Sequence, residues 1–132
     1  MNWDNNITNI NSVMNAKQEL LEILDKVKSK QFTLLCADIA HENDSTWEED
    51  YVYKTIRLPL HYTEEQLNSF YNSLDFNYNN GYGSQQLFGT VWLKYGAWLE
   101  RWEYDGSEGW ELKTCPPIPN HLKQNAQSDE QQ

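Results

Sequence analysis

The segment QLFGTVWLKYGAWLERWEY, residues 86–104, decides the fold that we expect. Apolar and polar side chains alternate over residues 86–94 and again over 97–104, which is the period of a strand with one buried face. Tyr95 and Gly96 separate the two runs, and two residues that include a glycine are typical of a tight hairpin turn. The segment therefore predicts a long antiparallel β-hairpin.

A two-residue turn also predicts how the two strands pair. The expected opposite pairs are Leu93 with Trp98, Val91 with Glu100, Gly89 with Trp102, and Leu87 with Tyr104. In this register Gly89 makes room for the Trp102 indole. Trp98, Glu100 and Trp102 share one face of their strand, and Trp92 points to the other face with Leu99.

Upstream of the hairpin the sequence predicts two helices. Apolar residues recur every three or four positions over residues 12–29, with Ser12 as the expected N-cap. Thr63 and Gln66 are spaced as a capping box before an apolar pattern, which predicts a second helix over 64–74. The Asn- and Gly-rich stretch 75–84 has neither a helical nor a strand period and is expected to be a loop.

Three further strands complete the predicted sheet. The apolar run 31–40 predicts a strand buried on both faces, and the alternation over 51–60 predicts an antiparallel partner for it. A short strand is expected at 110–114, after the turn that contains Gly106 and Gly109. The order α-β-β-α-β-β-β predicts an α+β fold, in which an antiparallel sheet of about five strands carries two helices on one face.

The ends of the chain differ in composition from this core. The Asn-rich residues 1–11 are expected to be a loose lead-in, residues 12–119 a single domain, and the polar residues 120–132 a disordered tail. A chain of 132 residues fits one domain of this size.

The charge balance excludes two classes of partner. The chain has 20 acidic and 10 basic residues and a net charge of -10, whereas direct binding to nucleic acid or to an anionic membrane surface requires a positive face. No apolar run approaches the roughly 20 residues of a membrane span, and the N-terminus lacks the pattern of a signal peptide. The expected location is therefore the cytoplasm.

Catalytic and metal-binding motifs are weak in this sequence. His41 lies near Asp38, Glu42 and Asp44, but a solvated surface is the preferred interpretation of that cluster. Cys36 and Cys115 form no metal-binding spacing, and Cys36 is expected to be a buried free thiol. We therefore expect no cofactor, no metal and no enzymatic activity.

Two acidic runs, each with tryptophan in or beside it, are the candidate partner-binding site. Six carboxylates and no basic residue lie between Asp38 and Asp50, and five carboxylates lie between Glu100 and Glu111. Aromatic anchors among carboxylates suit a contact with a basic protein. The candidate residues are Glu42, Asp44, Trp47, Glu48, Glu49, Asp50, Glu100, Glu103, Asp105, Glu108, Trp110 and Glu111. Glu103 and Asp105 are expected to lie two apart on one strand, as an acidic ladder whose spacing of about 6.6 Å is close to two phosphate steps along DNA, about 6.8 Å.

The C-terminal third resembles a known group of proteins. Gly89-Thr90-Val91-Trp92, Trp98-Leu99-Glu100-Arg101, the run YDGSEGW at 104–110 and the run PPIP at 116–119 are similar to a pattern in small, poorly characterised phage and mobile-element proteins. The resemblance covers residues 80–119. It implies a phage-type context, with the cytoplasm of a bacterial host cell as the location, in which small acidic proteins disable host defence enzymes.

The resemblance and the charge together predict a non-enzymatic inhibitor. Its expected target is a basic host enzyme that handles nucleic acid, such as a nuclease of a restriction or CRISPR type, and the acidic runs would occupy the nucleic-acid cleft of that enzyme as a DNA mimic. One alternative is an immunity protein that neutralises a cognate toxin nuclease. Another is a small-ligand or nucleotide-binding protein that uses the face of Trp98, Glu100 and Trp102.

Overall fold

The computed structural model describes residues 13–43, 52–81 and 83–124. In these residues the chain forms two α-helices and seven strands. The elements are β1 (Val13–Asn15), α1 (Ala16–Val27), β2 (Leu34–Asn43), β3 (Val52–Leu58), α2 (Glu64–Ser73), β4 (Asn77–Asn79), β5 (Leu87–Leu93), β6 (Ala97–Tyr104) and β7 (Ser107–Thr114). Short 3₁₀ helices follow at Lys28–Lys30 and Asn120–Leu122. No helix in the described ranges is long and apolar enough to cross a membrane.

The main sheet confirms the predicted α+β class. Its five strands are antiparallel in the order β3-β2-β5-β6-β7. Leu20 of α1 and Phe70 of α2 are buried in one cluster with Ile39, Val91 and Leu99. The pairing Val91↔Leu99 and the strand alternation put these sheet residues on one face, so both helices cover the same side of the sheet.

The two helices begin where side chains cap their free N–H groups. Thr63 and Gln66 form the predicted capping box: Gln66 donates its backbone N–H to Thr63 Oγ1 at 3.1 Å, and Thr63 donates its own to Gln66 Oε1 at 2.8 Å. The start predicted for the first helix was wrong. Asn15 is its N-cap and accepts the Gln18 N–H at 2.9 Å, so the helix begins at Ala16.

Asn15 and the two residues before it belong to a small sheet that the sequence did not predict. β1 pairs antiparallel with β4, within the stretch expected to be a loop. Asn15 Nδ2 donates to the Asp75 carboxylate at 3.0 Å, and the Ala16 N–H donates to the Phe76 carbonyl at 2.9 Å. Asparagine side chains thus join the start of α1 to the segment that follows α2.

The predicted register of the β5–β6 hairpin was wrong by one residue. The observed pairs include Leu93↔Ala97, Trp92↔Trp98 and Thr90↔Glu100, so the turn contains three residues, 94–96. Lys94 lies in the turn, and its backbone N–H donates to the carbonyl of Thr33, the residue before β2, at 2.9 Å. Because facing residues in an antiparallel pair point to the same side, Trp92 lies on the face of Trp98, and its predicted position beside Leu99 was wrong.

A glycine does make room for the Trp102 indole, but it is not the predicted one. Gly109 lies opposite Trp102, and a Cβ atom on it would be 3.0 Å from the indole ring. Gly89 instead lies opposite Ile39 on β2. The expectation that a glycine lies opposite the Trp102 indole was correct, but the shift in register makes that glycine Gly109 and not Gly89.

β2 was predicted to be buried on both faces, which was wrong. Ala37 and Ile39 are buried, whereas Asp38 between them is exposed and Cys36 is half-buried. The helices cover one face of the sheet only, so alternate side chains of β2 meet solvent. Cys36 and Cys115 are both free cysteines.

Candidate binding surface

The face of the main sheet that points away from the helices is a continuous surface, which we call the open face. The register of the five strands determines its members. They are Cys36, Asp38, Ala40, Glu42, Tyr53, Thr55, Arg57, Phe88, Thr90, Trp92, Trp98, Glu100, Trp102, Glu111 and Lys113.

Aromatic side chains dominate the open face. Trp92 is 43% exposed and Tyr53 56% exposed, while Phe88 and Trp102 are also exposed and Trp98 is half-buried. Trp92 and Trp98 form a direct cross-strand pair on β5, the middle strand, and β6, at the end of the face next to the 94–96 turn. Exposed aromatic patches of this kind on a folded domain mark interaction sites, and tryptophan and tyrosine are enriched among residues that dominate binding.

Charged side chains lie among these rings in an ordered arrangement. Arg57 Nε lies 3.1 Å from the Asp38 carboxylate, and Lys113 Nζ lies 3.0 Å from that of Glu111. Glu100 accepts a hydrogen bond from Trp98 Nε1 at 2.9 Å. The hydrogen bond to Glu111, and then the charges of Glu111 and Glu100, raise the pKa of Lys113.

The open face is therefore aromatic and acidic. It holds four carboxylates and two basic side chains. A hollow of about 330 Å³ lies over β3, β2 and β5, and its lining includes Tyr53, Trp92, Asp38 and Thr90. This chemistry suits a partner that offers cationic groups and flat or apolar surfaces.

The predicted partner-binding residues are divided among several places. Glu42, Glu100 and Glu111 lie on the open face. Glu103 is exposed near the end of β6, where it accepts the Gly106 N–H at 3.2 Å. The other residues of the first acidic run, Asp44, Trp47, Glu48, Glu49 and Asp50, lie outside the described residues.

Asp105 is not on a strand. β6 ends at Tyr104, and Asp105 occupies the following turn with φ 54°. The prediction that Glu103 and Asp105 form a regular ladder along one strand was therefore wrong. A residue in a turn does not continue the rise of a strand.

Glu108 and Trp110 lie inside the domain, so their predicted place on a contact surface was wrong. Glu108 is 2% exposed and Trp110 is 8% exposed. The Glu108 carboxylate accepts the backbone N–H groups of Gln86 at 2.7 Å and Leu87 at 3.1 Å, and it lies 2.6 Å from Arg101. Trp110 packs beneath the Arg101 guanidinium, 4.8 Å from the ring centroid.

Arg101 is the centre of this buried network. Its guanidinium also lies 3.4 Å from the Glu19 carboxylate, and it donates to the Tyr78 hydroxyl at 2.9 Å. Burial raises the pKa of Glu19, although Arg101 and Tyr78 act in the opposite direction. The network joins α1, β4, β6 and β7, so the second acidic run is partly structural.

His41 does not belong to a metal site with Asp38 and Glu42. Strand alternation turns its side chain to the helical face, where it stacks on Phe76 with ring centroids 4.2 Å apart. His41 Nε2 lies 3.4 Å from Gln86 Oε1. In the ranges that the structure describes, no three potential ligand residues are close enough to hold a metal ion.

We expect the buried position of His41 to make stability depend on pH. Burial lowers the pKa of His41, with a further contribution from Lys54, while the bond to Gln86 and the charge of Glu108 oppose the shift. Below about pH 6.5, the usual pKa of histidine, the unfolded chain binds a proton that the folded chain does not. The free energy of unfolding should therefore fall as the pH falls, and it should be insensitive to His41 above that value.

Urea unfolding of the wild type and of His41→Phe between about pH 5 and pH 8 measures this effect. Phenylalanine keeps the stacking on Phe76 and cannot titrate. The difference between the two proteins should change with pH, whereas the contribution of Glu19, with its raised pKa, should cancel. Parallel pH profiles would contradict the assignment to His41.

Several residues of the open face were missed by the sequence reasoning. Tyr53, Arg57, Phe88 and Trp92 were seen as strand residues and were not proposed as binding residues. The alternation over 88–92 was a usable signal, because Phe88, Thr90 and Trp92 share one side. The wrong turn length hid it by assigning Trp92 to the opposite face from Trp98.

No protein-family model, curated protein or solved structure matches the chain.

Proposed function

We propose that the protein acts by binding, without catalysis, and that its open face contacts a basic protein. The target that we propose is a host enzyme that handles nucleic acid, a nuclease of a restriction or CRISPR type, which the chain inhibits as a phage-type counter-defence protein. One observation supports this most directly: exposed Trp92, Trp102 and Tyr53 lie on one sheet face together with carboxylates.

The aromatic side chains would supply most of the binding energy. Half-exposed rings lose little side-chain freedom on binding and bury a large area, which is typical of residues that dominate an interface. Trp92 and Trp98 lie side by side on β5, the middle strand, and its neighbour β6. Two adjacent indoles offer a large continuous contact area from which a partner can exclude water.

The carboxylates would supply attraction and selectivity. Asp38, Glu42, Glu100 and Glu111 lie on the face, and the chain carries a net charge of -10. A negative surface speeds association with a basic cleft, and salt weakens that attraction. Nucleic-acid mimicry in this proposal rests on the charge of the face and not on a regular spacing of carboxylates.

Two other functions remain as proposals. An immunity protein would use the same face against one toxin nuclease, and a toxin gene beside the coding sequence would favour it. A small-ligand protein would use the hollow beside Trp92 and the Trp98–Glu100 pair, joined at 2.9 Å. Quenching of tryptophan emission by nucleotides would favour the small-ligand function.

Capture from bacterial lysate at low salt, elution with salt and mass spectrometry test the proposal. We expect a nucleic-acid enzyme to elute, and we expect the purified protein to inhibit that enzyme. Capture that is unchanged at about 0.5 M salt, where the Debye length is only a few ångström, would contradict an electrostatic contact. An empty eluate would contradict the protein partner.

Trp92→Ala should weaken binding to the captured enzyme by at least about thirtyfold, or about 2 kcal/mol. The side chain lies on the middle strand of the open face, paired with Trp98, and its exposure means that the fold loses little when it is truncated. Tyr95→Ala is the matched control, because Tyr95 is exposed in the turn outside the open face. Calorimetric titration measures both affinities, and equal losses in the two variants would place the contact elsewhere.

A further inference from the structure

In the part of the chain that the structure describes, β3 is an edge strand of the main sheet, with β2 on one side and no strand on the other, which we call its free side. β2 lies between β3 and β5. On the side of β2 that faces away from β3, the Glu42 N–H donates to the Gln86 carbonyl at 2.8 Å. In an antiparallel ladder the backbone groups of successive residues point to alternate sides, so His41 and Ile39 bond towards β3, to Lys54 and Ile56. The N–H and C=O groups of Tyr53, Thr55 and Arg57 therefore point to the free side.

A groove runs along this free side, between β3 and α2. Its volume is about 460 Å³, and its lining includes Thr55 and Arg57 on the strand and Gln66, Ser69 and Ser73 on the helix. Within the described residues, no backbone group outside β2 pairs with the backbone of β3. An unpaired strand edge beside an open groove is the arrangement to which extended peptides add as a further strand.

The helix side of the groove is negatively charged. α2 begins with Glu64 and Glu65 and has no basic residue, and Glu65 lines the groove. Arg57 is held by Asp38 at 3.1 Å. An incoming strand with a lysine or arginine near Glu65 would therefore complement the groove.

We propose that β3 is a docking site for an extended, basic segment of a partner protein, which adds as a sixth strand in the groove beside α2. The outward groups of Tyr53, Thr55 and Arg57 form the ladder bonds, and Glu65 selects the basic residue. This site uses the backbone edge of β3, whose residues Tyr53, Thr55 and Arg57 also present side chains on the open face, and it goes beyond the proposed function. The docking site and the open face can be tested separately, because Ser69 lines the groove on the helical side of the sheet and is not part of the open face.

Hydrogen exchange measured by NMR tests the proposal with defined probes. The probe is a pool of blocked nonapeptides with alternating threonine and valine, in which one lysine occupies each position in turn. We expect the pool to slow exchange of the Thr55 and Arg57 amides by about tenfold or more, as new hydrogen bonds protect them. A pool with glutamate in place of lysine should protect them far less.

Two variants and one control separate docking from unfolding. Ser69→Arg fills the groove and should abolish protection, whereas Asn68→Arg adds the same charge to an exposed neighbouring position of α2 and should not. Thr55→Pro removes one outward N–H and no bond to β2, which an edge strand tolerates, and it should abolish protection of Arg57.

Three results would overturn the proposal. The first is unchanged exchange in the wild type with the lysine pool. The second is equal protection in Ser69→Arg and Asn68→Arg. The third is protection of the same amides that rises with protein concentration in the absence of peptide, since that would make the edge a contact between two copies of this chain.

Discussion

Replacing Arg101 with methionine is expected to lower the free energy of unfolding by about 3–5 kcal/mol. The arginine side chain is 3% exposed and the Glu108 side chain is fully buried, and they are 2.6 Å apart. Methionine has a similar length but no charge. The substitution therefore leaves the buried Glu108 carboxylate without its cation, and Glu19 loses the same partner.

Arg57→Met provides the matched control in urea unfolding. Arg57 also pairs with a carboxylate, that of Asp38, but both side chains are more than half exposed. An exposed pair contributes at most about 1 kcal/mol, so the control should lose little stability. Similar losses in the two variants would contradict a structural role for the buried network. Glu108→Gln is a further variant that removes the charge and keeps one of the two oxygens, so it can accept only one of the backbone N–H groups of Gln86 and Leu87 as Glu108 does.

Gly89→Ala is expected to lower the free energy of unfolding by about 3 kcal/mol or more. Gly89 has φ +129°, and a Cβ atom on it would lie 2.2 Å from the Asp38 carbonyl oxygen and 2.8 Å from the Ile39 Cα. Both contacts are with the backbone of the neighbouring strand, which cannot rotate away. The central β2–β5 pairing must shift or open to accept the methyl group.

Gly96→Ala separates the effect of this clash from that of the backbone angle. Gly96 also has a positive φ, +73°, but no atom lies within 4 Å of the position of its Cβ. Its replacement should cost only about 1 kcal/mol. Thermal unfolding of both variants measures the difference, and equal costs would mean that β2 and β5 are less closely packed at Gly89 than the structure describes.

The helices and strands could be predicted because each depends on local chemistry. The Thr63–Gln66 capping box and the alternation of Ile56 and Leu58 with exposed neighbours are visible in the sequence and present in the structure. The β1–β4 sheet could not be predicted, because three-residue strands show no period. Its pairing depends on Asn15, whose partner Asp75 is 60 positions away in the chain.

The candidate surface was only partly predictable, for two physical reasons. The first reason is turn length, which decides which side chains share a face. Tyr95 and Gly96 in this turn have left-handed backbone angles, as in a two-residue turn. Lys94 belongs to the turn as well, which makes it three residues long. The second reason is that carboxylates in an acidic run resemble a solvated surface. Glu108 is buried as the partner of Arg101. Arg101 is the single basic residue between Glu100 and Glu111, and it was the signal in the sequence that one of these carboxylates is structural.

The network around Arg101 also affects when the chain can fold during its synthesis. Glu19 and its partner Arg101 are 82 positions apart, and the bonds that Glu108 accepts span 21 and 22 positions. Contacts between distant residues form late and slow the folding of a domain. The first helix therefore cannot reach its final ion pairing until Arg101 has left the ribosome, so the completed domain cannot form before β6 and β7 have been synthesised.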